Sequence, residues 1–221
     1  MEILGIDISM NNGKIDWEKV GATHKIGFAM IKCAYREYGS GNIVEDEQFE
    51  DNINGATKFG MPIGIYFKSA AISEKEAKEE AQWMINAVDG RKITWPLALQ
   101  YGHRERTDML TRDEKQRFAM SFLQKIQKNG YMPMMYASQG SFCQAWKIKD
   151  FADNGIKLWV ARYGANDGRL QERYKPNIGE DYQIWQYTSK GVVDGISSLN
   201  VDLNISYVDY GNNIHAEEIS K

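Results

Sequence analysis

The chain has 221 residues, 43% hydrophobic and 26% charged, with four prolines and a formal net charge of -3 at pH 7. This composition is globular, excludes collagen-like or long disordered segments, and leaves no electrostatic footprint for nucleic acid or an anionic membrane surface. No apolar run approaches the ~20 residues that span a bilayer, so no membrane insertion is expected, and the opening MEILGIDIS lacks the charged and cleavable parts of a secretion signal.

Short apolar runs alternate with helix-like stretches along the whole chain, the rhythm of strand-helix units around a largely parallel sheet. The predicted strands are Glu2–Ile8, Gly27–Cys33, Pro62–Phe67, Pro96–Tyr101, Met132–Tyr136, Lys157–Ala161 and Tyr182–Tyr187, with a short last one near Asn200–Leu203. A helix is expected over Glu45–Phe59, stopped by Gly60 and Pro62. Ser73 and Glu76 have capping-box spacing ahead of EAKEEAQWMINAV. Thr111 and Glu114 repeat it before an apolar series at Phe118, Phe122 and Ile126, most simply a core-facing stripe. The later helices are short. Eight strands in this rhythm suggest a barrel; no linker interrupts it, so residues 1–210 read as one barrel domain and 211–221 as a polar tail.

In a barrel of parallel strands the reactive positions gather at the strands' carboxyl ends. The polar or aromatic residues closing the apolar runs are Asp7, Lys32, Tyr66, Gln100, Tyr136, Tyr163, Gln186 and Asp202. Asp7 and Asp202 are either groove carboxylates or aspartates bonding nearby backbone. Tyr66 and Tyr136 either line a groove or pack as core residues with a polar tip. Among Trp159, Trp185 and Tyr187 some must be core, and alternation puts Trp185 and Tyr187 on one face and Gln186 on the other. The segment HRERTD, with His103, Glu105 and Asp108, reads as a solvated polar loop. Cys33 and Cys143 form either one bridge or two buried thiols, and the apolar run around Cys33 favours thiols. His24, His103 and His215 have no metal-ligand spacing, and the dinucleotide and serine-hydrolase motifs are absent, so neither metal nor cofactor is expected.

GIDISMNNGKIDWEKV at residues 5–20 resembles the opening signature of glycoside hydrolase family 25, the Chalaropsis-type lysozymes. The resemblance recurs in order at FAMIKCAY (28–35), FEDNINGATKFGMPIGIY (49–66), GYMPMMYAS (130–138), LWVARY (158–163), IWQYTSKGVVDGI (184–196) and NVDLN (200–204), and so covers essentially residues 2–205. It implies an irregular (β/α) TIM-like barrel with a long groove. It also implies a muramidase, or endolysin-like, role on peptidoglycan or a related cell-wall glycan, outside the cell or in its wall. Such a chain would arrive by phage-type release or as part of a longer secreted protein. The groove residues it implies are Asp7, Tyr66, Gln100, Tyr136, Trp159, Gln186 and Asp202.

Glycoside cleavage needs a proton donor at the leaving oxygen and a negative or nucleophilic group at the sugar carbon. In the family resembled, an Asp and a Glu at the end of the fourth strand supply them, in the form P-x-x-x-D-x-E. A two-residue spacing on a strand turns both side chains to one face. Here the segment is Pro96-Leu97-Ala98-Leu99-Gln100-Tyr101-Gly102, so Gln100 stands for the Asp and Gly102 for the Glu. No intact catalytic pair remains, and loss of a positioned general acid alone removes ~10²–10⁴ in rate. The family's Tyr-His-Phe is likewise Tyr66-Phe67-Lys68. The expectation is a pseudoenzyme, catalytically impaired, that binds glycan through a retained groove. The alternatives are an active N-acetylmuramidase drawing its acid from Glu105 or Asp108, or using Asp7 and Asp202 with help from the substrate's acetamido group, and an interaction protein that has lost sugar binding.

Overall fold

The structure, a computed structural model, describes residues 1–102 and 104–211, with only the backbone of residue 104. The expected polar tail lies, apart from Gly211, outside the described residues. The strands are β1 (Ile3–Ile8), β2 (Phe28–Arg36), β3 (Ile43–Glu45), β4 (Ile63–Ser69), β5 (Leu97–Tyr101), β6 (Pro133–Ser138), β7 (Lys157–Ala161), β8 (Ile184–Gly191) and β9 (Val201–Ser206). The helices are α1 (Trp17–Ala22), α2 (Phe49–Lys58), α3 (Glu74–Val88), α4 (Arg104–Thr107), α5 (Arg112–Lys128), α6 (Gln139–Ala145) and α7 (Ile148–Asp153).

Parallel pairing runs β1–β2–β4–β5–β6–β7–β8, and β9 closes the ring antiparallel to both β8 and β1. All eight expected strands form, and they make a closed mixed barrel wrapped by helices. β3 was not anticipated: it adds antiparallel to the outer edge of β2 and takes the start of the helix expected from Glu45. α2 begins only at Phe49. The cause is Asp46, whose buried carboxylate accepts the backbone N–H of Met10 at 2.8 Å and of Gln48 at 3.2 Å, fixing a turn before the helix.

Strand alternation splits the apolar residues into two cores. Phe28, Met30, Tyr66, Ala98, Met134, Trp159 and Ile184 fill the barrel. Ile6, Ile31, Ile65, Leu99, Val160, Trp185 and Tyr187 face outward onto the helices, where Phe118, Phe122 and Ile126 of α5 meet them. α5 carries the full capping box between Thr111 and Glu114. In α3, Ser73 accepts from the Glu76 N–H, but the Glu76 carboxylate turns to the Ile72 N–H and to Arg106, so only half of the box forms. Arg36, at the end of β2, donates to the fully buried Glu80 of α3 at 2.6 Å, and Ser69 of β4 donates to the other carboxylate oxygen at 2.6 Å. Both cysteines are free. Cys33 is buried, its thiol 3.3 Å from the Tyr66 carbonyl oxygen. Cys143 is exposed, which corrects the expectation of two buried thiols: short α6 buries only Phe142.

β1 reaches the mouth of the barrel past a close approach at Gly5, where a Cβ would lie 2.2 Å from the Phe28 ring. Gly5→Ala is therefore expected to cost about 1–3 kcal/mol through overpacking. Gly5→Ala/Phe28→Leu should cost less than the sum of its parts, since the two sites share one contact. Denaturant unfolding of the three variants checks this; strict additivity would refute the contact as the cause.

Candidate functional site at the barrel mouth

β1, β2 and β4–β8 direct their carboxyl ends to one face of the barrel. β9 runs the other way, so Asp202 opens its strand rather than closing it, and pairs directly with Asp7 in the β1–β9 register. Asp7 is buried, and its Oδ2 accepts hydrogen bonds from Gln186 Nε2 and Asn204 Nδ2, both at 2.8 Å. The Gln186 Oε1 in turn accepts from the hydroxyls of Tyr136 at 2.8 Å and Tyr163 at 2.6 Å. Asn204 Oδ1 accepts from the Trp159 indole N–H at 2.8 Å. One carboxylate thus organises two amides, two phenols and an indole.

Burial raises both aspartates, Asp7 from 3.8 to about 6 and Asp202 from 3.8 to about 8. For Asp7 the bonds from Asn204, Gln186 and Asp202 oppose that rise, whereas Asp202 is pushed further by the negative charge of Asp7. Burial and mutual repulsion therefore favour a proton on the pair, with Asp202 the more strongly raised of the two.

Two expected groove residues are placed differently. Trp159 is fully buried; its ring packs 4.2 Å from that of Tyr136 and edge-on to Tyr66 at 6.0 Å, and its N–H is held by Asn204, so it is the floor of the site and offers no face to a ligand. Gln186 is also buried and positions Asp7. Tyr66 is buried beside Trp159, while Tyr136, Gln100 and Asp202 are half-buried at the mouth. Asn204 escaped the sequence reading, although it lies two residues beyond Asp202 and so on the same strand face.

At the end of β5, Gln100 pairs in register with Lys68 of β4 and Tyr136 of β6. Tyr101 turns outward, its hydroxyl on the Ala71 carbonyl at 2.6 Å and its ring edge-on to Trp146. Gly102 donates its N–H to the Ser69 carbonyl at 3.0 Å and has φ +118°, a left-handed conformation that favours glycine. Beyond it, Glu105 and Asp108 are exposed. The loop read as solvated is instead partly anchored: α4 buries Thr107, and Arg106 pairs with Glu76 at 2.6 Å. His103 lies outside the described residues.

The model of the glycosyl hydrolases family 25 matches residues 6–196. The chain belongs to this family. It is 26% identical over 205 residues to YegX of Escherichia coli (strain K12), an uncharacterized protein, covering 92% of this chain and 69% of that one. It is 25% identical over 196 residues to the autolytic lysozyme of Clostridium acetobutylicum, covering 87% of this chain and only 52% of that one. The chain thus spans about half the length of that lysozyme. Among solved structures, the catalytic domain of endolysin ply40 from bacteriophage P40 of Listeria monocytogenes superposes with a TM-score of 0.72 at 26% identity, covering 97% of each chain. The fold is that of a lysozyme-like family 25 barrel.

The aspartate pair gives the chain a pH signature. Both folded carboxyls bind protons more tightly than their unfolded counterparts, so the stabilisation is present at low pH and lost as pH rises, through about 6 for Asp7 and about 8 for Asp202. The melting temperature is expected to fall between pH ~5 and ~8, and Asp202→Asn to flatten that fall. Thermal unfolding across the range checks the sign; a melting temperature that climbs would overturn it.

Proposed function

We propose that this chain is a catalytically impaired lysozyme-like protein that binds bacterial cell-wall peptidoglycan through its barrel mouth, acting outside the cell or in its wall. The observation that carries the reading is the end of β5, where an amide at Gln100 and a glycine at 102 stand at the strand end that turns to the mouth. Neither residue can donate a proton to a glycosidic oxygen or supply a formal negative charge at the sugar carbon. Glu105 and Asp108 do not make good the loss, because their side chains are exposed and lack the burial that keeps a carboxyl protonated at neutral pH. The frame around Asp7 is nevertheless complete, and recognition by hydrogen bonds and aromatic faces does not need the acid that protonates the leaving group.

Release of reducing ends from purified peptidoglycan, measured beside the ply40 catalytic domain, is expected at no more than about 10⁻²–10⁻⁴ of the comparator's rate. The same protein should be retained on insoluble peptidoglycan, and Tyr136→Ala should weaken that retention at temperatures where the variant is still folded, its melting temperature being lowered by loss of the bond to Gln186 and the contact with Trp159. Robust turnover would end the impaired reading, and absent retention would favour an interaction protein that has lost sugar binding.

A second reading rests on the proton held by Asp202. A carboxyl raised to about 8 is protonated at neutral pH and can act as an acid, so slow hydrolysis assisted by the substrate's acetamido group is the active alternative. Its mark would be residual turnover that declines above pH ~8 and disappears in Asp202→Asn.

A further inference from the structure

Between the ends of β1, β2 and β4 the barrel mouth opens into a pocket of about 290 Å³ whose walls include Met10, Asn11, Lys32, Tyr35, Tyr38 and Lys68. Three cations border it, in different states. Arg36 is engaged by the buried Glu80 at 2.6 Å and by the carbonyls of Gly41 and Glu76. Lys32 is buried, lies 3.5 Å from the Asp46 carboxylate and sits 4.7 Å above the centre of the Tyr35 ring. Lys68 has no carboxylate within 4.0 Å among the described residues. Its charge reaches Lys32: burial is the main force lowering the Lys32 ammonium, Asp46 opposes it, and Lys68 lowers it further. Among the described residues, one positive charge in the pocket therefore lacks a counter-ion.

Lys68 is also the register neighbour of Gln100. Beside the position that has lost a carboxylate, the chain places an ammonium group. A cation there opposes positive charge at a sugar carbon and favours an anion instead. Tyr35 and half-exposed Tyr38 add aromatic surface suited to a sugar face.

We infer that this pocket is an anion subsite of the groove, in which Lys68 contacts an oxyanion, a carboxylate or phosphate, carried by the wall polymer. The inference rests on the glycan-binding reading and adds the charge of the ligand to it. Tyr35, Tyr38 and Asn11 would border the sugar that bears the anion.

The test measures affinity of the full chain for four probes at low ionic strength. They are peptide-free peptidoglycan strands, the same strands with their lactyl carboxylates reduced to alcohols, a neutral chitin oligosaccharide, and a polyglycerol phosphate. Native strands are expected to bind about ten-fold tighter than reduced strands, the scale of a charge-assisted hydrogen bond. The preference should shrink with added salt, vanish in Lys68→Met and persist in Lys68→Arg. A Lys68-dependent preference for the polyphosphate instead identifies phosphate as the source. Equal binding of native, reduced and chitin probes without phosphate binding overturns the anion subsite and leaves glycan binding standing, as does a preference unchanged in Lys68→Met. No binding of any probe overturns both. The melting temperature of each Lys68 variant separates loss of contact from loss of fold.

Discussion

The hydrogen bonds that Asp7 accepts from Gln186 and Asn204 join the first strand to the last two, across 179 and 197 residues of chain, at the seam where parallel pairing gives way to antiparallel. A carboxylate taken out of water there is tolerable only because charged hydrogen bonds replace the lost hydration. The demand propagates outward. Gln186 can donate to Asp7 only with its carbonyl oxygen turned away, and that oxygen receives Tyr136 and Tyr163. Asn204 is fixed in the same way by the Trp159 indole. The polar layer at the mouth and the aromatic layer beneath it are therefore one construction, oriented by one acidic side chain.

This construction does not pass through the end of β5. The β5 tip is held by separate means: backbone pairing to β4, the Gly102 N–H on Ser69, and Tyr101 packed outward against Trp146. On the outer side, the Arg36–Glu80–Ser69 network ties α3 to β2 and β4 without touching the mouth's centre. Breaking a buried pair of this kind by removing one partner typically costs about 3–5 kcal/mol, so it is a structural constraint in its own right. The side chains at positions 100 and 102 can therefore vary without loosening either network. If the proposed function holds, binding could thus persist without turnover at no cost to either network.

The strand order and the inner and outer faces were legible in the sequence because period-two alternation is a direct record of a two-sided barrel wall. Trp185, Gln186 and Tyr187 went to the faces that alternation assigned. β3 was not legible, since two half-buried residues and an exposed one on an edge leave no apolar signature, and the helix start blurred with it because only the fold reveals Asp46 as a buried turn-former. Depth was the other blind spot. Sequence order shows that Trp159 and Gln186 face the barrel axis but not that they lie beneath the mouth, where one becomes a floor and the other a bracket for Asp7. Cys143 was misplaced because a seven-residue helix carries too short a pattern to reveal which side is buried.

The backbone at Gly102 makes the proposed loss of the acid pair more than a matter of two side chains. Space is not the obstacle there: an added Cβ would find its nearest neighbour, the Thr107 hydroxyl, 3.9 Å away. The obstacle is φ of +118°, which a glutamate adopts only with strain of order 1–3 kcal/mol. The strand end has settled into a path that glycine alone follows freely, anchored by its N–H to Ser69. A carboxylate placed at position 102 would either bear that strain or pull the β5 tip off β4, and in both cases would not point where an unstrained strand would aim it. A carboxylate at position 100 meets no such barrier, but it would stand beside Lys68 in the β4–β5 register. On the proposed reading, the electrostatics of the mouth and the geometry of its fourth rim strand act in the same direction, against a centre that stabilises a developing cation and for one that holds an anion.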